Sequence, residues 1–198
     1  MRVLITCELS GTVRDEFIAL GHEAMSCDLL PTEKPGPHYQ GDVFDVLYQH
    51  WDLMIAHPPC TYLANSGVCH LYNEDHSINS ARWILMLEGA KFFRKLCEAN
   101  HIPRRAIENP IQHRYAVEAH GQGRPTQYIQ PWQFGHGESK RTGLHLYGLP
   151  KLVPTDIVEG REQRLHLLPP SEDRWKLRSM TYKGIAKAMA QQWVSVQN

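Results

Sequence analysis

Residues 52–60 read Asp-Leu-Met-Ile-Ala-His-Pro-Pro-Cys. Leu53 to Ala56 form an apolar run without alternation, the pattern of a strand covered on both faces. Pro58 and Pro59 fix φ and cannot donate to a sheet, so the strand must stop at His57. Cys60 is then held by a preset backbone just beyond the strand's carboxyl end. In parallel sheets that edge is where ligands bind.

Working outward, the first half of the chain alternates strand and helix signals. Val3–Cys7 is an apolar, β-branched run. Val13, Phe17 and Leu20 then recur at helical spacing over 12–20, and Gly21 stops them. Glu23–Asp28 reads as a second strand ending in an acid, 31–37 as a Pro/Gly loop, and Asp42-Val43 as the edge of a third strand. Residues 61–78 are polar and read as a loop. The longest helical pattern is 80–100, with Trp83, Met86, Leu87, Ala90, Phe93, Leu96 and Cys97 on one face. Strands follow at 104–109, 126–131 and 143–147, and a last helix at 182–194 carries Ile185, Met189 and Trp193 in register. The pattern predicts an α/β fold with a mostly parallel sheet and helices on both faces. It also predicts that Cys7-Glu8, Asp28, Cys60 and Glu108 gather at the carboxyl edge.

The chain has 198 residues, 42% hydrophobic and 21% charged, with 21 basic against 21 acidic residues. Such a composition fits one globular domain over 1–198 and excludes disorder. A neutral net charge speaks against a protein devoted to gripping duplex DNA, although Arg and Lys are dense in 161–187. No apolar run is long enough for a bilayer span, and the early charges Glu8 and Arg14 do not suit a secretory signal. Five scattered cysteines suit a reducing, cytoplasmic location better than a disulfide framework. Cys69, His70 and His76 lack the paired spacing of a zinc site, so no metal is expected.

Two motifs stand out as chemistry. His57-Pro58-Pro59-Cys60 presents a thiol at a strand end, and Ile107-Glu108-Asn109-Pro110 presents an acid and an amide at a later one. A thiolate is a strong, soft nucleophile, and its attack on a weak electrophile also needs an acid nearby. Glu108 suits that role, with Asn109 holding the loop or the substrate. At the first strand's end, Ser10 and Gly11 make a tight turn into a helix, where backbone amides can approach a ligand.

These motifs resemble the Pro-Cys and Glu-Asn motifs of DNA cytosine-5 methyltransferases. Most of the chain is similar to a family of small phage and prophage proteins described as DNA cytosine methyltransferases. The resemblance runs through Cys7–Gly11, Ser26–Pro31, Gly41–Val43, Ile55–Cys60, Ala106–Pro110, Gln130–His136 and Thr181–Ala186. It implies a Rossmann-like class I fold that uses S-adenosylmethionine, in a bacterial host's cytoplasm if phage-encoded. It implies Cys60 as the nucleophile at carbon 6, with Glu108 at nitrogen 3 and Asn109 beside it. Cofactor contacts fall to Cys7, Glu8, Ser10, Gly11, Asp28, Leu29, Asp42, Val43 and Pro58. His57, Pro59 and His136 line the base pocket. Lys140-Arg141 stands where the methyltransferases carry Gln-x-Arg, which gives Arg141 a catalytic role and Lys140 a substrate contact.

The sequence departs from the pattern in two places. The Gly-rich turn is reduced to Gly11, with Glu8 inside it. The irregular segment 148–180 replaces a large target-recognition domain, leaving few side chains to read base edges. Low specificity, a recognition partner, or a single-stranded or nucleotide substrate would each follow; no oligomeric state is legible. Arg174, Trp175, Lys176 and Arg178 form a basic-aromatic cluster suited to a nucleic-acid backbone. Two alternatives stay open. His57-Pro58-Pro59 also resembles the motif of amino-group (N4/N6) DNA methyltransferases, and the altered turn also suits a degenerate decoy or regulatory module that only binds cofactor or DNA.

Overall fold

The computed structural model describes residues 1–172 and 174–194, and for 165, 166, 175 and 177 it describes the backbone alone. The side chain of Trp175 therefore lies outside the described residues. Seven strands among them form one sheet: β1 (Arg2–Thr6), β2 (Glu23–Asp28), β3 (His38–Gln40), β4 (Leu53–Ala56), β5 (Arg104–Pro110), β6 (Gln127–Ile129) and β7 (Thr142–Tyr147). Their order is β3-β2-β1-β4-β5-β7-β6. Strands β1 to β5 are parallel, and β7 runs antiparallel to both β5 and β6.

The central strands are buried on both faces. Val3 and Ile5 of β1 and Leu53 and Ile55 of β4 pack with Phe17, Met189 and Trp193, from helices α1 (Thr12–Ala19) and α7 (Lys183–Val194). Leu4, Met54 and Ala56 point the other way, against α2 (Val43–Leu47), α3 (Ser80–Cys97) and α4 (Arg114–His120). Strand alternation with period two thus feeds two separate cores. Burial of a large apolar side chain such as Phe17 or Phe93, both wholly buried, stabilises by about 1.5–3 kcal/mol. This is a Rossmann-like α/β arrangement. No helix among the described residues is long and apolar enough to cross a membrane.

Several expectations need correction. Asp42-Val43 is not a strand edge: the third strand is His38–Gln40, and Asp42 caps α2 by accepting from Phe44 N at 3.0 Å. An aspartate before an apolar run is a helix-start signal as much as a ligand. Leu87 is 51% exposed, one position off the buried stripe of α3, and α3 ends at Cys97. Within the polar 61–78 stretch a 3₁₀ helix covers Asn65–Leu71. Helix α4 carries little apolar periodicity and was not legible. Segment 148–180 holds two short helices, α5 (Arg164–Leu167) and α6 (Arg174–Ser179).

His120 and His145 are buried with Phe93 between them in the α3–α4 core, their rings 6.0 Å apart. Burial pushes both down to about 4, with each other's proximity adding to the effect at His120. In the unfolded chain they take protons near 6.5. Between these values the unfolded state binds more protons, so stability falls as pH drops through the window. Each tenfold difference in proton affinity is worth about 1.4 kcal/mol. Urea midpoints should therefore decline steadily from pH 6.5 to 4, and His145→Gln should flatten that decline. An unchanged slope in the variant would contradict the assignment.

Candidate active site

The register Ala56↔Ile107 places His57 beside Glu108 where β4 and β5 end. His57 N donates to Thr6 O at 3.0 Å, fixing the end of β4 against β1. Its ring Nδ1 lies 3.1 Å from Glu108 Oε2. Asn109 Nδ2 donates to Pro58 O at 3.0 Å. On the far side of the turn, Leu63 N and Ala64 N both donate to Cys60 O, at 3.0 and 2.8 Å. The thiol's backbone is thereby clamped from both directions, which two prolines alone do not achieve.

Cys60 opens onto a cleft at this edge of the sheet. Cys7 to Ser10 at the end of β1 line one part, and His57 to Cys60 with Glu108 line another. Lys140, Lys176, Arg178 and Ser179–Thr181 close it from the α6 side. A smaller cavity of about 300 Å³ adjoins it, lined by His57, Glu108, Lys140, Met180 and Thr181 among others. The buried polar atoms His57 Nε2 and Asn109 Oδ1 have no protein partner here, which marks this edge as suited to a polar ligand.

The electrostatics qualify the chemistry expected from sequence. Burial acts to raise Glu108, but the hydrogen bond and charge of His57, with Lys140 behind, outweigh it and hold the carboxyl below its ordinary value. Glu108 is thus an ionised acceptor in this state and not a ready acid. Burial pushes the Cys60 thiol above its ordinary value, Glu108 adds to this, and Lys140 and Arg178 oppose it. Cys60 rests as a thiol.

The cofactor-side residues divide. Cys7, Glu8, Ser10 and Pro58 line the Cys60 cleft, with Cys7 in a left-handed conformation at φ 57. Burial, then the charge of Asp28, push the Cys7 thiol far up. Glu8, however, turns inward. Its carboxylate accepts from Val13 N at 2.7 Å, Arg14 N at 3.4 Å and Ser10 Oγ at 3.2 Å, so it caps α1. The amides read as approaching a ligand are occupied by the protein's own acid. Gly11, at φ 66, is bare for a different reason: a Cβ there would lie 2.5 Å from Arg14 Nη2. Asp28 Oδ1 accepts from Leu30 N at 3.0 Å, while Leu29 is 73% exposed. Val43 is buried in the α3-side core. Gly11, Asp28, Leu29, Asp42 and Val43 are not among the residues lining the Cys60 cleft.

On the substrate side, Lys140 faces the cleft and Arg141 does not. Arg141 is exposed, with its guanidinium 4.2 Å from the Tyr128 ring centre. Of the two residues, Lys140 alone lines the cleft. His136 is also elsewhere: its Nε2 accepts from Gly184 N at 3.0 Å and anchors the start of α7. Pro59 lines the cleft.

Sequence reasoning missed Arg14 and Glu33. The Arg14 side chain is fully buried. It donates to Ser26 Oγ and Thr32 Oγ1 and to the carbonyls of Lys34 and Pro35. It thereby pins the 32–37 loop that brings Glu33 to the cleft. The signal was a lone Arg inside an apolar helical face. Arg178 was legible only as part of a basic cluster.

No protein-family model matches the chain, and comparison with curated proteins finds no relative. Solved structures do match. A prophage-encoded E. coli protein assigned as a DNA modification methyltransferase is 15% identical, with a TM-score of 0.46 over 85% of this chain and 55% of its own. The Entamoeba histolytica methyltransferase EhMeth is 14% identical, with a TM-score of 0.46 over 82% and 57%. A variant of Spodoptera frugiperda DNMT2 is 10% identical, with a TM-score of 0.37 over 87% and 60%. This chain thus spans between 55% and 60% of the length of these structures.

Proposed function

We propose that the protein is an S-adenosylmethionine-dependent methyltransferase acting on carbon 5 of cytosine, with DNA or a cytosine nucleotide as substrate. The observation that carries this reading is that Cys60 and Glu108, 48 positions apart in the sequence numbering, line one cleft at adjoining strand ends. The donor set suits the cofactor in part. Glu33 is a carboxylate facing the cleft near Cys7 and Pro58, a complement to a cationic sulfonium or ammonium group. Asp28, at the end of β2, retains acceptor capacity for ribose hydroxyls. Glu8 is committed to α1 and is left out of the contact set. When bound, the cofactor supplies an electrophilic methyl group.

The chain's own groups do the rest. Cys60 Sγ, as thiolate, adds to carbon 6, and Lys140 and Arg178 favour that ionised form. Glu108 accepts from the cytosine 4-amino group, and the His57–Glu108 pair supplies the proton that ring nitrogen 3 takes up as charge develops. Asn109 keeps the Cys60 turn in place through Pro58 O. Carbon 5 then carries the electron density that meets the methyl group; its proton next passes to water in the cleft, Cys60 Sγ leaves carbon 6 as the double bond re-forms, and nitrogen 3 returns its proton to the His57–Glu108 pair. A base in a duplex would have to leave the stack to reach this thiol.

The amino-group alternative needs the Pro58 region to receive an amino group, yet Pro58 O already accepts from Asn109, and the His57 ring is turned to Glu108. The test is transfer from methyl-labelled cofactor to single-stranded DNA, duplex DNA and deoxycytidine nucleotides, followed by hydrolysis to nucleosides. Label in 5-methyldeoxycytidine is expected. Label on the 4-amino nitrogen would replace this reading with the amino-group one, and binding without transfer would favour the regulatory module.

A further inference from the structure

We propose that Lys140, Lys176 and Arg178 form a phosphate subsite, so that the pyrimidine reaching Cys60 arrives as a nucleotide held through its phosphate. The inference deepens the proposed function and rests on it for the identity of the base. The chain as a whole is neutral, with 21 basic and 21 acidic residues, but the cleft is not. Its acids are Glu8, Glu33 and Glu108. Glu8 is spent on the amides of α1, and Glu108 pairs with His57 at 3.1 Å. Only Glu33 is left facing the opening, on the β1 side. The three cations stand together on the α6 side.

Two of those cations, Lys140 and Arg178, have no carboxylate at ion-pair distance among the described residues. Lys140 Nζ donates instead to the neutral carbonyl of Arg178 at 2.7 Å, which ties the two residues together without cancelling either charge. Both charges reach Cys60, since both act on its thiol. Paired cations beside a nucleophile, neither held in an ion pair, suit an anion adjoining the reacting group. A phosphate one sugar away from a pyrimidine base has that relation to it.

Met180 and Thr181, which follow α6, line both this cleft and the smaller cavity behind Glu108. The segment standing in place of a recognition domain therefore covers the nucleophile, and it brings a charge suited to one nucleotide.

The test needs no catalysis. The protein is titrated calorimetrically with deoxycytidine monophosphate, deoxycytidine, a cytosine-containing single strand and the matching duplex, at low and high salt. The monophosphate is expected to bind about tenfold or more tighter than the nucleoside, as charge-assisted hydrogen bonds warrant. Inorganic phosphate should compete with the nucleotide and leave nucleoside binding unchanged. Arg178→Gln should erase most of the preference and spare nucleoside affinity, while Arg178→Lys keeps it. Tighter binding of the single strand than of the monophosphate would identify the backbone phosphate as the source; the reverse order would identify the free nucleotide. Equal affinity for nucleotide and nucleoside overturns the proposal, and so does an Arg178→Gln variant that loses both alike. Thymidine monophosphate binding equally well with the same Arg178 dependence would support the phosphate subsite and remove the cytosine reading.

Discussion

Replacing Cys60 by serine is expected to lower methyl transfer to carbon 5 by about a thousandfold or more, the scale on which a single nucleophile's removal acts. A hydroxyl is not ionised near neutral pH, and carbon 6 of cytosine does not yield to a neutral oxygen. The substitution is nearly isosteric, and the turn is held by backbone bonds to Cys60 O and by Asn109, neither of which uses the sulfur. The fold and cofactor affinity should therefore survive. The wild-type rate should also rise with pH across the neutral range. The Cys60 thiol sits above its ordinary value through burial and the charge of Glu108, so its ionised fraction grows about tenfold per pH unit below that point. Steady-state transfer assays across pH 6.5–9 check both statements. A Cys60→Ser enzyme with near-normal transfer would show that the thiol is a bystander.

The largest loss of stability is expected from Arg14→Met. This side chain is wholly inaccessible and sits between Gly11 and Gly36, where an added Cβ would lie 2.5 and 2.6 Å from the guanidinium. Methionine has comparable length but no donors. Ser26 Oγ, Thr32 Oγ1 and the carbonyls of Lys34 and Pro35 would each lose a charged donor, and Asp15 its ion pair. Breaking such a buried charged network costs about 3–5 kcal/mol, against a total stability of about 5–15 kcal/mol for a domain. Lysine should not rescue it, because one ammonium cannot replace a planar fork of donors. The 32–37 loop also meets the cleft floor, since Glu33 N donates to Leu9 O at 2.8 Å. Cofactor affinity should fall with stability. Urea unfolding measures the first and calorimetric titration the second; a loss under about 1 kcal/mol would contradict the clamp.

The sheet was legible because its strands are buried on both faces. Leu53–Ala56 can be read as apolar throughout, and Pro58-Pro59 marks its end without ambiguity. Helix α4 was not, since Arg114–His120 owes its place to a His113 side-chain cap on Ala116 N and to contact with α3. The gathering of Cys60, Glu108 and Asn109 followed from strand alternation alone. What could not be read was which polar side chain another polar side chain would choose. Glu8 and Asp42 look like ligand-binding acids in a sequence, yet each is a cap for a following helix. The His57–Glu108 pairing depends on strand register, which becomes visible only once β4 lies beside β5. Of the Lys140-Arg141 pair read as facing the substrate, Lys140 lines the cleft and Arg141 turns to the Tyr128 ring, a choice that depends on how the chain enters β7.

The most direct measurement is the intact mass of the protein after incubation with the cofactor and a single-stranded oligonucleotide whose cytosine is fluorinated at carbon 5. Fluorine cannot leave as the proton does, so the sulfur–carbon bond should persist. The account predicts a species heavier by the methylated oligonucleotide, with the added mass mapped to the peptide containing Cys60 and absent from Cys60→Ser. Protein of unchanged mass, in a sample that methylates the unfluorinated strand, would contradict it.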